Sequence, residues 1–323
     1  MRAIVIDRYG TPDVLRLEDV EKPAPAEGEA LVGVRASSVN PYDWHILTGL
    51  PKLFRPTFGF RRPKFPILGA DFAGIVESIG AGVTGVAPGD EVFGQTSAGC
   101  FAEFAAIKAR NVALKPAGLS FEEAASIPLA GFTALQGLRD KGGVEPGQQV
   151  LINGASGGVG TLAVQIATAM GGEVTGVCST RNVELVRSLG AAHVIDYTRD
   201  DFTEGPRRYD LILDLVGNRP LRKYRRTLER KGIYLASHGQ PENLWLGPLL
   251  SMMRAALWSP LVGQKLTAFI AKVDPDDLAH LAGLLEAGAI KPVVDRTFPL
   301  EEVPEAFRYL EQWHARGKVV ITV

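Results

Sequence analysis

The sequence predicts an α/β fold in which a doubly wound parallel sheet is joined to a β-rich part drawn from both ends of the chain. Three observations predict it. Strand and helix signals alternate from residue 149 onward; residues 1–118 carry short apolar runs punctuated by Gly and Pro; and the tail returns to strand-like sequence. At 323 residues the chain exceeds the usual domain size of about 100–200 residues, so two domains are expected. The expected boundaries are 1–118, 119–289 and 290–323, with the last segment completing the first.

In the first part, Ala30–Ala36, Ala73–Ile79 and Phe101–Ala105 read as strands, and Pro88-Gly89-Asp90 reads as a turn into the strand Glu91-Val92-Phe93. Helical period is weak there. The character changes at Ser120-Phe121-Glu122-Glu123, a capping box in which each side chain satisfies an unpaired amide at a helix start. One long helix is expected to follow, running through Leu138. Pro146-Gly147 then turns the chain into the strand Gln149–Ile152.

Beyond that strand, a helix over Val159–Met170 and a strand over Glu173–Val177 are expected. A helix over Val183–Leu189, stopped by Gly190, precedes strands over Ala192–Ile195 and Leu211–Val216. A basic helix over Leu221–Arg230 and a strand over Ile233–Ala236 continue the alternation. Asp274-Pro275-Asp276-Asp277 combines a capping aspartate, proline at the first helical position and acids that suit the helix dipole. The strands starting at Pro292 and ending the chain at Lys318–Val323 are free to rejoin the N-terminal part.

Composition narrows the function classes. The formal net charge of −1 argues against a general nucleic-acid binder, which usually has a basic surplus. Two cysteines, Cys100 and Cys178, support neither a disulfide framework nor a four-thiolate zinc site. The start Met1–Asp7 meets a charge too soon for a signal peptide. The most membrane-like stretch, residues 244–262, is broken by Pro248, Arg254 and Pro260, so no membrane insertion and a cytoplasmic location are expected.

The most informative segment is Val150-Leu151-Ile152-Asn153-Gly154-Ala155-Ser156-Gly157-Gly158-Val159-Gly160. A buried strand runs into a tight turn that opens a helix, the arrangement that binds a dinucleotide. Ala155 holds the first glycine position of the usual spacing. Gly157 lets the backbone approach a pyrophosphate, and Gly160 lets helix and strand pack closely. The amides around Ser156, Gly158 and Val159 offer hydrogen bonds and positive potential to phosphate. An NAD site commonly has an acid about 20 residues on, at the end of the next strand. Here that strand ends Val177-Cys178-Ser179-Thr180-Arg181-Asn182. Ser179 and Arg181 suit a ribose phosphate, so NADPH is the expected cofactor; a solvated Arg181 before a helix is the plainer reading.

Together these features resemble the zinc-independent medium-chain dehydrogenase/reductases, in the quinone oxidoreductase-like branch. The likeness spans nearly the whole chain. It is carried by the glycine turn and by Ala36-Ser37-Ser38-Val39-Asn40-Pro41-Tyr42-Asp43, Leu68-Gly69-Ala70-Asp71-Phe72-Ala73-Gly74, Pro88-Gly89-Asp90-Glu91-Val92 and Leu129-Ala130-Gly131-Phe132-Thr133-Ala134. The resemblance implies a GroES-like catalytic domain built from both chain ends, a Rossmann-type domain between them, and a homodimer. Zinc-using relatives carry a cysteine where Asn40 stands and a Gly-His-Glu run where Gly69-Ala70-Asp71 stands. Catalytic zinc needs several converging ligands, and two are replaced, so no metal is expected.

Without a Lewis acid the chemistry that remains accessible is hydride delivery to an electron-poor carbon of a small hydrophobic carbonyl or quinone. The resemblance places Asn40 beside nicotinamide and substrate; a loop-capping asparagine before Pro41 is the plainer reading. Asp43 either orients a neighbour or serves a turn. His45 stands where family members often carry a pocket-facing tyrosine, and a surface or core histidine is the alternative. Further cofactor contacts implied are Thr133, Tyr197, Val216, Gly217, Ser237 and Lys318. The segment Trp245–Trp258, rich in Trp and Met, reads as a pocket lid, an interface or core. Enoyl-thioester reduction, zinc-free alcohol oxidation and non-catalytic NADPH sensing are the competing functions.

Overall fold

The computed structural model describes residues 1–237 and 263–323. Two compact units emerge, one made of Met1–Leu129, Val273–Gly288 and Pro292–Val323, the other of Ala130–Lys272 and Ala289–Lys291. This division differs from the boundaries read from the sequence. Residues 119–129 and 273–288 join the first unit, because Phe121–Ala125 packs on strands Glu29–Val39 and Asp71–Ile79, and helix Pro275–Glu286 packs on Val112–Leu114.

The first unit is built on a seven-stranded sheet. Its spatial order is Val294–Pro299, Lys318–Thr322, Glu29–Val39, Asp71–Ile79, Glu91–Gln95 and Val112–Leu114, with Phe104–Lys108 also paired to Glu29–Val39. The tail strand lies antiparallel to the N-terminal one, with Val319 opposite Val39 and Ile321 opposite Ser37. The expected return of the chain end is therefore present. Alternating side chains of these strands face a core of Ile4, Leu47, Leu68, Phe101, Phe307 and Ile321, all essentially without solvent exposure. Each such side chain contributes about 1.5–3 kcal/mol relative to exposure. The expected strand Phe101–Ala105 is shifted to Phe104–Lys108, because Phe101 leaves the sheet to stack edge-on against Phe307.

The second unit is a six-stranded, wholly parallel sheet in the order His193–Asp196, Glu173–Cys178, Gln149–Asn153, Tyr209–Asp214, Leu228–Ala236, Lys265–Ala268. The crossover between the central strands Gln149–Asn153 and Glu173–Cys178 is the helix Gly158–Ala169. Val150, Leu151 and Ile152 are fully buried, as the central strand of a two-faced sheet requires.

Two further expected elements differ. The long helix after Ser120 is divided into Phe121–Ala125 and Pro128–Gln136, since Pro128 has no amide to continue the ladder. The capping box itself forms, with Glu123 N–H donating to Ser120 Oγ at 3.1 Å and Ser120 N–H to Glu123 Oε2 at 2.9 Å. The basic helix ends at Thr227 rather than Arg230, and Leu228 already pairs with Tyr209 in the sheet. Pairing with a central strand outweighs the helical preference of Glu229-Arg230-Lys231. No helix among the described residues is long and apolar enough to cross a membrane. Residues 245–258, His238 and Gly239 lie outside the described residues.

Candidate active site

In the first unit, a buried polar cluster collects around Asp71, the first residue of its strand. Asp71 has no solvent exposure. Its Oδ1 accepts the Leu129 N–H at 3.0 Å, and its Oδ2 accepts the Ser38 hydroxyl at 2.7 Å and the Asn40 amide at 3.0 Å. Lys318, 6% exposed, brings Nζ within 3.6 Å of Oδ2 and donates to Asn40 Oδ1. Burial pushes the Asp71 carboxyl up and pulls Lys318 down, while their mutual attraction opposes both. Among the described residues the groups hydrogen-bonded to the Asp71 carboxylate are donors, which oppose the effect of burial.

Asn40 precedes the helix Pro41–Thr48, an element the weak helical period did not suggest. Its local signal is an Asn-x-x-Asp spacing: Asp43 Oδ2 accepts the Asn40 N–H at 2.9 Å, closing the helix start. Asp43 Oδ1 accepts from Gly69 N–H at 3.2 Å, which fastens the loop before Asp71 to this helix. Gly69 has φ +92°, and a Cβ there would lie 2.6 Å from Phe101 N, so this position admits only glycine. Complete burial, then the neighbouring charge of Asp71, push the Asp43 carboxyl up to about 7. His45 is half-buried in the same helix, with Nδ1 2.6 Å from the Leu50 carbonyl oxygen. A carbonyl only accepts, so Nδ1 carries a hydrogen here.

In the second unit the glycine turn has the expected form. Gly157 caps the helix Gly158–Ala169 with no side chain, so among the described residues no N-cap side chain takes its first-turn amides. A Cβ on Gly160 would stand 2.1 Å from Gly154 O, whereas a Cβ on Gly157 would meet Gly154 O at 3.5 Å and nothing closer. Gly160 thus serves internal packing, and Gly157 leaves space that the protein does not fill. Ala155 donates its N–H to Val177 O, and Ser156 Oγ accepts from Asn182 Nδ2 at 2.9 Å.

At the carboxyl end of the same sheet, Asp214 gathers the neighbouring loops. It is fully buried and accepts from Asn153 Nδ2 at 2.8 Å, the Tyr234 hydroxyl at 2.7 Å, and the amides of Val216 and Gly217 at 3.2 and 3.0 Å. The Ser237 N–H closes onto Asp214 O. Asp214 was not among the residues singled out from the sequence. Its signal was a lone acid ending an apolar strand, Leu211-Ile212-Leu213-Asp214.

The chain matches the description "Alcohol dehydrogenase GroES-like domain" over residues 26–117 and "Zinc-binding dehydrogenase" over residues 189–321. It is 35% identical to the 2-methylene-furan-3-one reductase of Solanum lycopersicum, over 99% of this chain and 79% of that protein. It is 33% identical to the chloroplastic NADPH-dependent alkenal/one oxidoreductase of Arabidopsis thaliana, with the same coverage. The chain belongs to the quinone oxidoreductase-like medium-chain dehydrogenase/reductases. It also superposes on the Escherichia coli quinone oxidoreductase complexed with NADPH, with TM-score 0.83 and 26% identity over the whole of both chains.

Within this family frame the residues do not fit zinc. Ala70 offers a methyl group, Asn40 Oδ1 is taken by Lys318, and Asp71 is matched by an ammonium. Among the described residues no group of three or more His, Cys, Asp or Glu side chains is placed to hold a metal ion. The dinucleotide does fit: uncapped first-turn amides and an open Gly157 suit a pyrophosphate. Ser179 and exposed Arg181 follow strand Glu173–Cys178; Tyr197, 41% exposed, follows the next strand and donates its N–H to Cys178 O. Thr133 is buried in helix Pro128–Gln136.

Two placements were not foreseen. Asp196 lies opposite Cys178 in the sheet, so an acid does stand near the end of the second strand. Its oxygens accept from the Thr180 and Thr198 hydroxyls, and Arg199 pairs with it at 3.5 Å, so its charge is largely answered. Lys318, expected over the cofactor, is placed in the buried cluster with Asn40 and Asp71.

Proposed function

We propose that this chain transfers hydride from NADPH to quinones or α,β-unsaturated carbonyls without a metal ion. The observation that carries the reading is the uncapped glycine turn of the second unit, and the names of the relatives support the acceptor class. When bound, NADPH supplies the hydride. The chain's own residues hold and orient: Ala155, Ser156, Gly157, Gly158, Val159 and Gly160 receive the pyrophosphate, Ser179, Arg181 and Tyr197 receive the adenosine end, and Thr133, Val216, Gly217 and Ser237 border the remainder. Asn40, with Asp43 and His45 on the helix it begins, is the polar group proposed to meet the acceptor oxygen. Both Asn40 amide protons are already donated, to Ser38 O and Asp71. It therefore serves an acceptor only by releasing one of them. The family resemblance adds a homodimer, which a molar mass from light scattering checks directly.

The test is NADPH and NADH oxidation by chelator-treated protein offered quinones, enals, enoyl thioesters and saturated ketones in parallel. Turnover of quinones or enals with NADPH is the expected result; turnover that requires added zinc contradicts the reading. Two substitutions sharpen it. Arg181→Ala should weaken NADPH about 10-fold or more and NADH by less than about twofold, since a guanidinium–phosphate pair is the difference between them. Equal losses for both cofactors remove the phosphate role. Asn40→Ala should lower kcat about 10-fold while the NADPH Kd stays within about twofold. Unchanged kcat removes Asn40 from the chemistry.

A further inference from the structure

A carboxylate with no solvent exposure needs its charge answered inside the protein. Around Asp71 the Ser38 hydroxyl, the Asn40 amide and the Leu129 N–H supply neutral hydrogen bonds. Among the described residues Lys318 supplies the positive charge, 3.6 Å from Oδ2. Its position is fixed by the sheet, because Lys318 opens the strand that lies against Glu29–Val39, where Ser38 is the residue before the last. The same ammonium occupies the side-chain oxygen of Asn40. These two contacts hold the positions where, by the family resemblance, zinc-using relatives carry a cysteine and the glutamate of a Gly-His-Glu run.

We infer that Lys318 excludes divalent cations from this site: its ammonium takes the cation's place against Asp71 and Asn40. A metal bound to Asp71 at the usual distance of about 2.0–2.2 Å would sit within a few ångström of the ammonium. Two cations would then share one carboxylate in a buried, low-dielectric space, where like charges repel strongly. The lysine thus does more than stabilise; it decides which cation the site holds. The inference rests on the metal-free reading, yet it fails separately, since that reading is tested by turnover of the chelated native chain and this one by metal binding.

The experiment restores the two missing donors and compares backgrounds. Asn40→Cys/Ala70→His is prepared with Lys318 retained and, in parallel, combined with Lys318→Met or Lys318→Gln, all stripped of metal. Cobalt(II) is titrated by visible absorption, zinc by calorimetry, with melting curves and NADPH binding confirming the fold. With Lys318 retained, binding should be weak; removing the ammonium should tighten it at least about 100-fold, with the intense thiolate-to-cobalt band appearing. Equal affinity in both backgrounds, whether tight or weak, overturns the inference. The lysine-retaining variant is a test by itself, because tight cobalt binding there overturns it whatever the other variants do. The glutamine variant serves where methionine prevents folding.

Discussion

Replacing Gly160 by alanine should abolish tight NADPH binding. The added Cβ would lie 2.1 Å from Gly154 O and 2.8 Å from the Ala155 backbone, so no flexible side chain can yield and the turn itself must open. Overpacking at a rigid backbone contact costs about 1–3 kcal/mol or more, and here the displaced atoms are those that present the phosphate amides. The NADPH Kd should rise at least about 100-fold, equivalent to about 2.7 kcal/mol, measured by quenching of protein fluorescence. Gly157→Ala is the informative companion. Its methyl meets Gly154 O at 3.5 Å, an ordinary contact, so the free protein should melt normally while cofactor affinity falls. If Gly160→Ala binds NADPH as tightly as the native chain, the turn is not the cofactor site.

Asp214→Ala should be the most destabilising single change in the second unit. It removes the acceptor for the Tyr234 hydroxyl and the Val216 and Gly217 amides, and one partner of Asn153. Each buried donor left without a partner costs about 1–3 kcal/mol, so a loss of at least about 3 kcal/mol is expected. For a unit of this size that lowers Tm by roughly 6–12 °C. NADPH should restore little of it, because the Val216–Gly217 turn is displaced. An unchanged Tm, or full rescue by cofactor, would show that water replaces the carboxylate and that the network is not structural. Asp214→Asn, which keeps one acceptor, should fall between.

What the sequence revealed and what it hid follow from the range of the interactions. The glycine turn, the Ser120–Glu123 box and the Asp274 helix start are short-range devices whose donors and acceptors lie within a few residues, so the local pattern discloses them. The cluster at Asp71 is the opposite case. Asn40 and Lys318 are 278 positions apart, and Asn40 and Asp71 are 31 apart, and no local spacing joins them. Lys318 therefore read as a cofactor contact, and its pairing with Asp71 was not foreseen. The strand from Leu228 was hidden for a related reason: its basic residues suit a helix, and only the long-range partner Tyr209 selects extended backbone. Asn40-x-x-Asp43 was a legible capping spacing that weak helical period concealed.

The position of the strand Lys318–Thr322 has a consequence for biosynthesis. The strand Glu29–Val39 leaves the ribosome before the parallel sheet is made, yet the neighbour at its Ala36–Val39 edge follows only after that sheet's last strand. The parallel sheet, by contrast, draws all its strands from residues 149–268, so it can assemble while that edge still waits. During this interval the exposed edge is a site for mispairing between nascent chains, as any unpaired strand is. Asp71 also lacks its ammonium until the tail arrives. Closing the first sheet and neutralising its buried carboxylate are thus a single, late event of synthesis, and a ribosome stalled before Lys318 holds a chain that has accomplished neither.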